Sequence, residues 1–205
     1  MEDQKEKILQ ASEQLFMQYG LKSVSMDDVA RQLGISKKTI YNYLKDKKDL
    51  VYQVLQSHFT KKEAACQAIF SKNENPVNQM LSIGQHIVVN YQSLNPGLIN
   101  DLRKYFPKGW TLVNEYKNNI IRHFIIANLI NGMEQGYYRS DINVEVIADL
   151  YLNLTEIITH SSTLENAQTK FPLIVSEMIY YHLHGVCSEK GIAYLNENKK
   201  LTNVA

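Results

Sequence analysis

Four lysines stand where lysine is least favoured. Lys37 and Lys38 begin one short helical segment, and Lys47 and Lys48 begin the next. A helix amino end carries partial positive charge, so each cation there costs about 0.3–1 kcal/mol. Such violations of a local rule mark function more often than folding. An anion would reverse the sign, because helix amino ends and lysines both attract phosphate. Lys37, Lys38, Tyr41 and Asn42 fall outside the face that Ile40, Tyr43 and Leu44 turn inward. Lys37 and Lys38 have the chemistry to read a guanine edge in a major groove, and Asn42 an adenine. Tyr43 is ambiguous: half of its position faces inward, yet its hydroxyl can reach a phosphate.

The charge distribution agrees. Residues 37–48 carry five lysines and one aspartate, whereas residues 1–36 carry four basic and six acidic side chains. The chain as a whole is only +1, so one small anion-binding patch stands out against a balanced background.

The elements that position these lysines are legible in residues 25–44, SMDDVARQLGISKKTIYNYL. Ser25 caps a helix and Asp28 can complete a capping box. Val29, Ala30 and Leu33 form its apolar stripe. Small Ala30 lets a second helix cross closely, and Gly34 suits a left-handed helix end. Ile35 enters the core, and Ser36 caps the next helix. This is the pattern of a helix-turn-helix.

The rest of the chain reads as helix. Helices are predicted over 2–19, 25–33, 36–44, 47–70, 77–93, 98–106, 110–135, 143–161 and 170–187, about nine in all. Breaks fall at KNENP (72–76), LNPG (94–97) and PKG (107–109). Asp46 and Asp49 mark the start of the fourth helix. The tail from Ser188 is polar and reads as a frayed helical continuation. No alternating strand pattern or repeat appears. The predicted class is therefore all-α: an amino-terminal three-helix DNA-binding domain over residues 1–48, then a helical domain over 49–205.

Function classes are excluded on the same page. No apolar run reaches the 18 residues of a membrane span, and MEDQKEK is not a secretory signal. Cys66 and Cys187 lie far apart, which suits a reducing cytoplasm with both thiols buried. Of the histidines, His58, His86, His123, His160, His182 and His184, none forms an HxxxH or HExxH pair. With no Gly-rich phosphate loop either, the reading is no enzyme, no metal and no cofactor.

Residues 8–55, with TIYNYLKDKKDL (39–50) closest to the family signature, resemble the tetracycline-repressor (TetR) family of bacterial transcription regulators. The run GMEQGYYRSDINVEVIADL (132–150) resembles it more loosely. The sequence departs from the family at Lys38, where a small residue is usual, and at Leu44, where Phe is usual. The resemblance implies that Tyr41 presses on the DNA backbone and that Thr39 reaches a phosphate or base edge. It implies that Lys47 and Ser25 hold phosphates. It also implies an effector pocket among the middle helices, for which His86, Tyr91, Tyr105, Phe106, Trp110, Tyr116, His123 and Phe124 are candidates.

The last two predicted helices are apolar on more than one face and need cover on most sides. Ile147, Leu150, Tyr151, Leu154 and Ile158, with Ile174, Met178 and Tyr181, would form a four-helix seam with a second copy. The combined expectation is a cytoplasmic homodimer that binds a palindromic double-stranded operator, a repressor released by an unknown small-molecule effector. The alternative is a DNA-bound adaptor whose carboxy-terminal domain binds a protein.

Overall fold

The computed structural model describes residues 2–72, 74–91, 97–159 and 167–198, without the side chains of 2, 90, 91, 157–159 and 167–170. The order is α1 (Glu2–Tyr19), α2 (Met26–Leu33), α3 (Lys37–Tyr41), α4 (Lys47–Phe70), α5 (Pro76–Tyr91), α6 (Leu98–Tyr105) and α7 (Pro107–Glu115). A π-helical segment (Tyr116–Ile121), α8 (Arg122–Glu134), α9 (Val144–Thr159), α10 (Ala167–Val186) and α11 (Glu189–Glu197) follow. Among the described residues there is no strand, only an isolated bridge between Tyr138 and Cys187. No helix of the described residues is long and apolar enough to cross a membrane.

Three elements differ from the sequence expectation. The break at 107–109 is confined to Phe106, because Pro107 takes the first helical position, where its missing N–H costs nothing. The single helix predicted over 110–135 is interrupted by the π-helical turn. Within the described part of the tail, Glu189–Glu197 form a capped helix rather than a frayed one. Ser188 caps α11 by accepting from the Gly191 N–H, and Leu195 is fully buried. Among the described residues, the α7/α8 division and α11 account for the two helices beyond nine.

The chain condenses into two compact units: Met1–Lys62 with Ser93–Tyr116, and Glu63–Gln92 with Lys117–Ala205. In the first, Ile8, Phe16, Val29, Ile40, Leu50 and Val51 form the centre of a core that Leu98, Leu102 and Phe106 complete. Sequence order alone would not place α6 with the amino-terminal helices.

In the second unit α5 packs on α8, α10 and α11, and α9 packs on α8 and α10. Its core holds a closed polar network. The Tyr138 hydroxyl donates to Asn128 Oδ1 at 2.8 Å. The Asn128 amide donates to the Pro76 carbonyl at 3.0 Å and to Gln79 Oε1 at 3.1 Å. Buried polar groups must be paired in this way to avoid their desolvation cost. Gly132 makes room for the same tyrosine: a Cβ there would stand 2.0 Å from the Tyr138 ring. Of the two cysteines, Cys187 is buried and Cys66 only partly so.

Candidate nucleic-acid interface

The site is built from local rules satisfied one after another. Ser25 adopts extended backbone, accepts from the Asp28 N–H at 3.2 Å and donates its own N–H to the Asp28 carboxylate at 2.9 Å. The capping box is thus complete. The Ser25 hydroxyl and N–H, joined by Arg31, hold the Asp28 carboxyl below its ordinary range. Gly34 ends α2 with φ 63°, the left-handed region that a side chain disfavours. The chain reverses there, Ile35 N–H bonds the Ala30 carbonyl, and Ser36 caps α3 by accepting from the Thr39 N–H. Ile40 is fully buried and anchors α3, while the Leu44 N–H still bonds the Ile40 carbonyl. Helical bonding therefore carries past the short regular stretch.

This scaffold leaves Lys38, Tyr41 and Asn42 on the exposed side, with Tyr41 46 % accessible. Thr39 is half-buried, its hydroxyl 2.9 Å from that of Ser36. Tyr43 is half-buried and packs against the core. Lys48 is exposed at the start of α4. Ser25 is exposed, but both its hydroxyl and its N–H are used by the capping box. A phosphate at this end would meet the unpaired N–H groups of the first turn instead.

Two lysines are engaged in ways the sequence did not announce. Lys37 pairs with Asp27 at 2.8 Å, a contact that raises its pKa. Lys47 is half-buried: its ammonium lies 5.8 Å from the Phe106 ring centre and donates to the Lys22 carbonyl at 3.1 Å. Burial pushes its pKa below the usual lysine value. Lys47 thus braces the α1–α2 turn while keeping donors for an anion. Asp46 and Asp49 start α4 as expected, but Asp49 bonds the Lys45 N–H rather than that of Asp46.

The candidate pocket residues are divided between the two units. Tyr105, Phe106, Trp110 and Tyr116 belong to the first unit, and His86, His123 and Phe124 to the second. Phe106 is core, Tyr116 stacks on Phe59, and Arg103 lies 4.4 Å from the centre of the Trp110 ring. Tyr105 and His123 are exposed, and Phe124 packs on Phe70. The side chains of Tyr91 and Ile158, and His160, lie outside the described residues. Of the seam residues, Leu150 (56 %) and Tyr181 (74 %) are exposed, and Ile147, Leu154 and Ile174 are half-buried. Tyr151 and Met178 turn into the unit's own core. Leu173, one of the apolar residues of the last predicted helix, and Val146, which was not foreseen, are exposed as well.

A capped helix pair with a left-handed glycine turn and an exposed basic reader face defines a helix-turn-helix DNA-binding protein. Residues 8–54 match the profile of bacterial regulatory proteins of the tetR family. An uncharacterized HTH-type transcriptional regulator of Bacillus subtilis, YvaF, is 28 % identical over 149 residues, 71 % of this chain and 76 % of that one. An HTH-type transcriptional regulator of Staphylococcus aureus is 37 % identical over 54 residues, 26 % of this chain and 29 % of its own. The fold is that of Escherichia coli NemR in its reduced form, with TM-score 0.76 and 14 % identity over 91 % of this chain and 97 % of that one. It is equally that of a regulator from Saccharomonospora viridis solved with choline, with TM-score 0.75 and 18 % identity over 92 % and 100 %. Over its amino-terminal residues 8–54 the chain thus carries the DNA-binding region of the tetR family of bacterial regulatory proteins.

Proposed function

We propose that the protein is a homodimeric, cytoplasmic repressor that binds a palindromic operator and leaves it when a small molecule binds. Residues 1–48 read the DNA, and residues 49–205 dimerise and take the effector. The reader face of α3 carries the first part: Lys38, Tyr41 and Asn42 stand exposed on a helix fixed from behind by Ile40. The apolar face of Val146, Leu150, Leu173 and Tyr181 on α9 and α10 supports the dimer, since monomers rarely expose such a patch. A choline-bound relative of the same fold supports a small-molecule effector. The recognition helices of a dimer must sit about 34–36 Å apart to enter successive major grooves. An effector that favours another spacing shifts the population away from DNA. A small molecule that copurifies with the native protein would separate this reading from a protein-binding adaptor.

Selection of operators from a random duplex pool tests the roles on α3. Lys37→Ala and Lys38→Ala should each change preference at individual positions, by about 1–3 kcal/mol at a contacted guanine. Tyr41→Phe should weaken binding while keeping the selected site, because a backbone hydrogen bond carries no base information. The reverse pattern, a changed motif for Tyr41→Phe and unchanged ones for both lysine variants, refutes the assignment.

A further inference from the structure

Within the first unit, α6 delivers charge to the turn that precedes α2. Asp101 accepts the Lys22 N–H at 2.8 Å, and the Lys22 carbonyl accepts from Lys47. The Lys22 peptide is therefore held on both sides, and its side chain is directed onto α6. There its ammonium lies 5.3 Å from the centre of the Tyr105 ring, and that of Lys104 lies 5.4 Å from the same centre. Two cations thus share one exposed phenol. They hold its hydroxyl below the usual tyrosine range, Lys104 most strongly.

Nothing anionic in the described chain answers them. The ion pairs described for lysines of this unit, Lys7 with Asp3, Lys37 with Asp27 and Lys61 with Glu6, involve neither Lys22 nor Lys104. The Asp101 carboxylate accepts from the Lys22 backbone. Bringing two ammonium groups to one ring without a counter-charge is unfavourable in the protein alone. An anion between them, taking a further hydrogen bond from the phenol, would reverse that.

The position says which anion. Lys22 lies three residues before the Ser25 cap, and its carbonyl is tied to Lys47 at the start of α4. The Lys22 peptide thus ties the patch to the amino end of α4, where Lys48 is exposed. We infer that Lys22, Lys104 and Tyr105 form an additional clamp for a backbone phosphate of duplex DNA, beyond the helix-turn-helix itself. Helix α6 then contributes to DNA affinity directly as well as through packing. The inference rests on the DNA-binding reading above.

Fluorescence anisotropy with labelled duplexes of unrelated sequence tests it, since phosphate contacts are indifferent to sequence. Lys22→Ala and Lys104→Ala should each flatten the log–log salt dependence by about 0.9 per bound protomer. Between 50 and 200 mM salt, the gap between wild type and each variant should therefore shrink about 3.5-fold per contact. Tyr105→Phe should weaken binding with little change of slope. Both lysine variants keeping the wild-type slope, while Lys48→Ala flattens it, would overturn the clamp and leave the helix-turn-helix reading standing. A wild type that binds no duplex at any salt would overturn both. Inorganic phosphate at fixed ionic strength separates the sources. If it stabilises the wild type but neither lysine variant, and the DNA slopes do not move, the site serves a free anion and the inference fails.

Discussion

Leu150 and Tyr151 are neighbours with opposite fates, and the pair gives a sharp test of the proposed dimer. Leu150 is 56 % exposed in the single chain, whereas Tyr151 is 2 % exposed in the core of the second unit. Fully burying a leucine is worth about 1.5–3 kcal/mol. Roughly half of that surface remains for a partner to cover, so Leu150→Ala should cost association about 1 kcal/mol per copy. A two-fold seam uses the residue twice, which doubles the loss to about 2 kcal/mol. That is roughly a 30-fold rise in the dimer Kd. The fold of each chain should hardly notice. Tyr151→Ala should do the reverse, costing the chain about 3–5 kcal/mol as a large buried ring is lost. Sedimentation equilibrium over the micromolar range, with thermal unfolding followed in parallel, separates the two effects. A Leu150→Ala protein that associates like the wild type, or a wild type that is monomeric at these concentrations, refutes the seam on α9 and α10.

Other perturbations probe the interior and the reader face. Gly132→Ala drives a methyl into the Tyr138 ring, so it should cost about 3 kcal/mol or more in chemical denaturation. Tyr138→Phe leaves Asn128 Oδ1 without its donor and should cost about 1–3 kcal/mol. His182 is buried with Nε2 unpartnered, its ring edge-on to Tyr151, and burial pushes its pKa down to about 4. The unfolded chain takes up that proton near pH 6.5 and the folded chain only near 4. Stability should therefore be full above pH 6.5 and fall by about 1.4 kcal/mol per pH unit between them. His182→Phe should flatten that part of the profile, and an unchanged profile would show that the ring is not the titrating group. Asp27→Asn frees Lys37 from its ion pair and should raise affinity for unrelated DNA. In a Lys37→Ala background that gain should vanish, which a double-mutant cycle measures.

The helix-turn-helix was legible because its determinants are local. A cap at Ser25, its partner Asp28 three residues on, a glycine at 34 and a second cap at Ser36 act within one or two turns. The structure shows each of them in place. What was not legible depends on which helices meet. Phe106 and Trp110 look like pocket residues by type, yet Phe106 completes the core of the first unit because α6 packs beside the amino-terminal helices. The Lys22–Asp101 contact spans 79 residues and has no local signature. The α11 helix read only as a frayed continuation, because its average is polar. Gly191 and Leu195, four residues apart, are enough to bury one edge of it. The π-helical turn at Tyr116–Ile121 breaks the 3.6-residue period without a proline or glycine inside it, and it carried no signal in the sequence.

The misplaced lysines are where both levels of description meet. Sequence marked four of them as unfavourable at helix amino ends. The fold answers two within the protein: Asp27 neutralises Lys37, and Lys47 spends its stem on Phe106 and a donor on the Lys22 carbonyl. Lys38 and Lys48 stay exposed without an ion pair among the described residues. Compensation and function therefore divide along this line. A charge tied down inside the domain sets geometry, and a charge left open is available to DNA at no further cost of release. Lys38 stands where the family usually has a small residue, so the most open charge on α3 is also the one that sets this chain apart. By the same argument, under the proposed roles Lys37→Ala should change the selected operator less than Lys38→Ala, because a Lys37 contact with DNA must first displace Asp27.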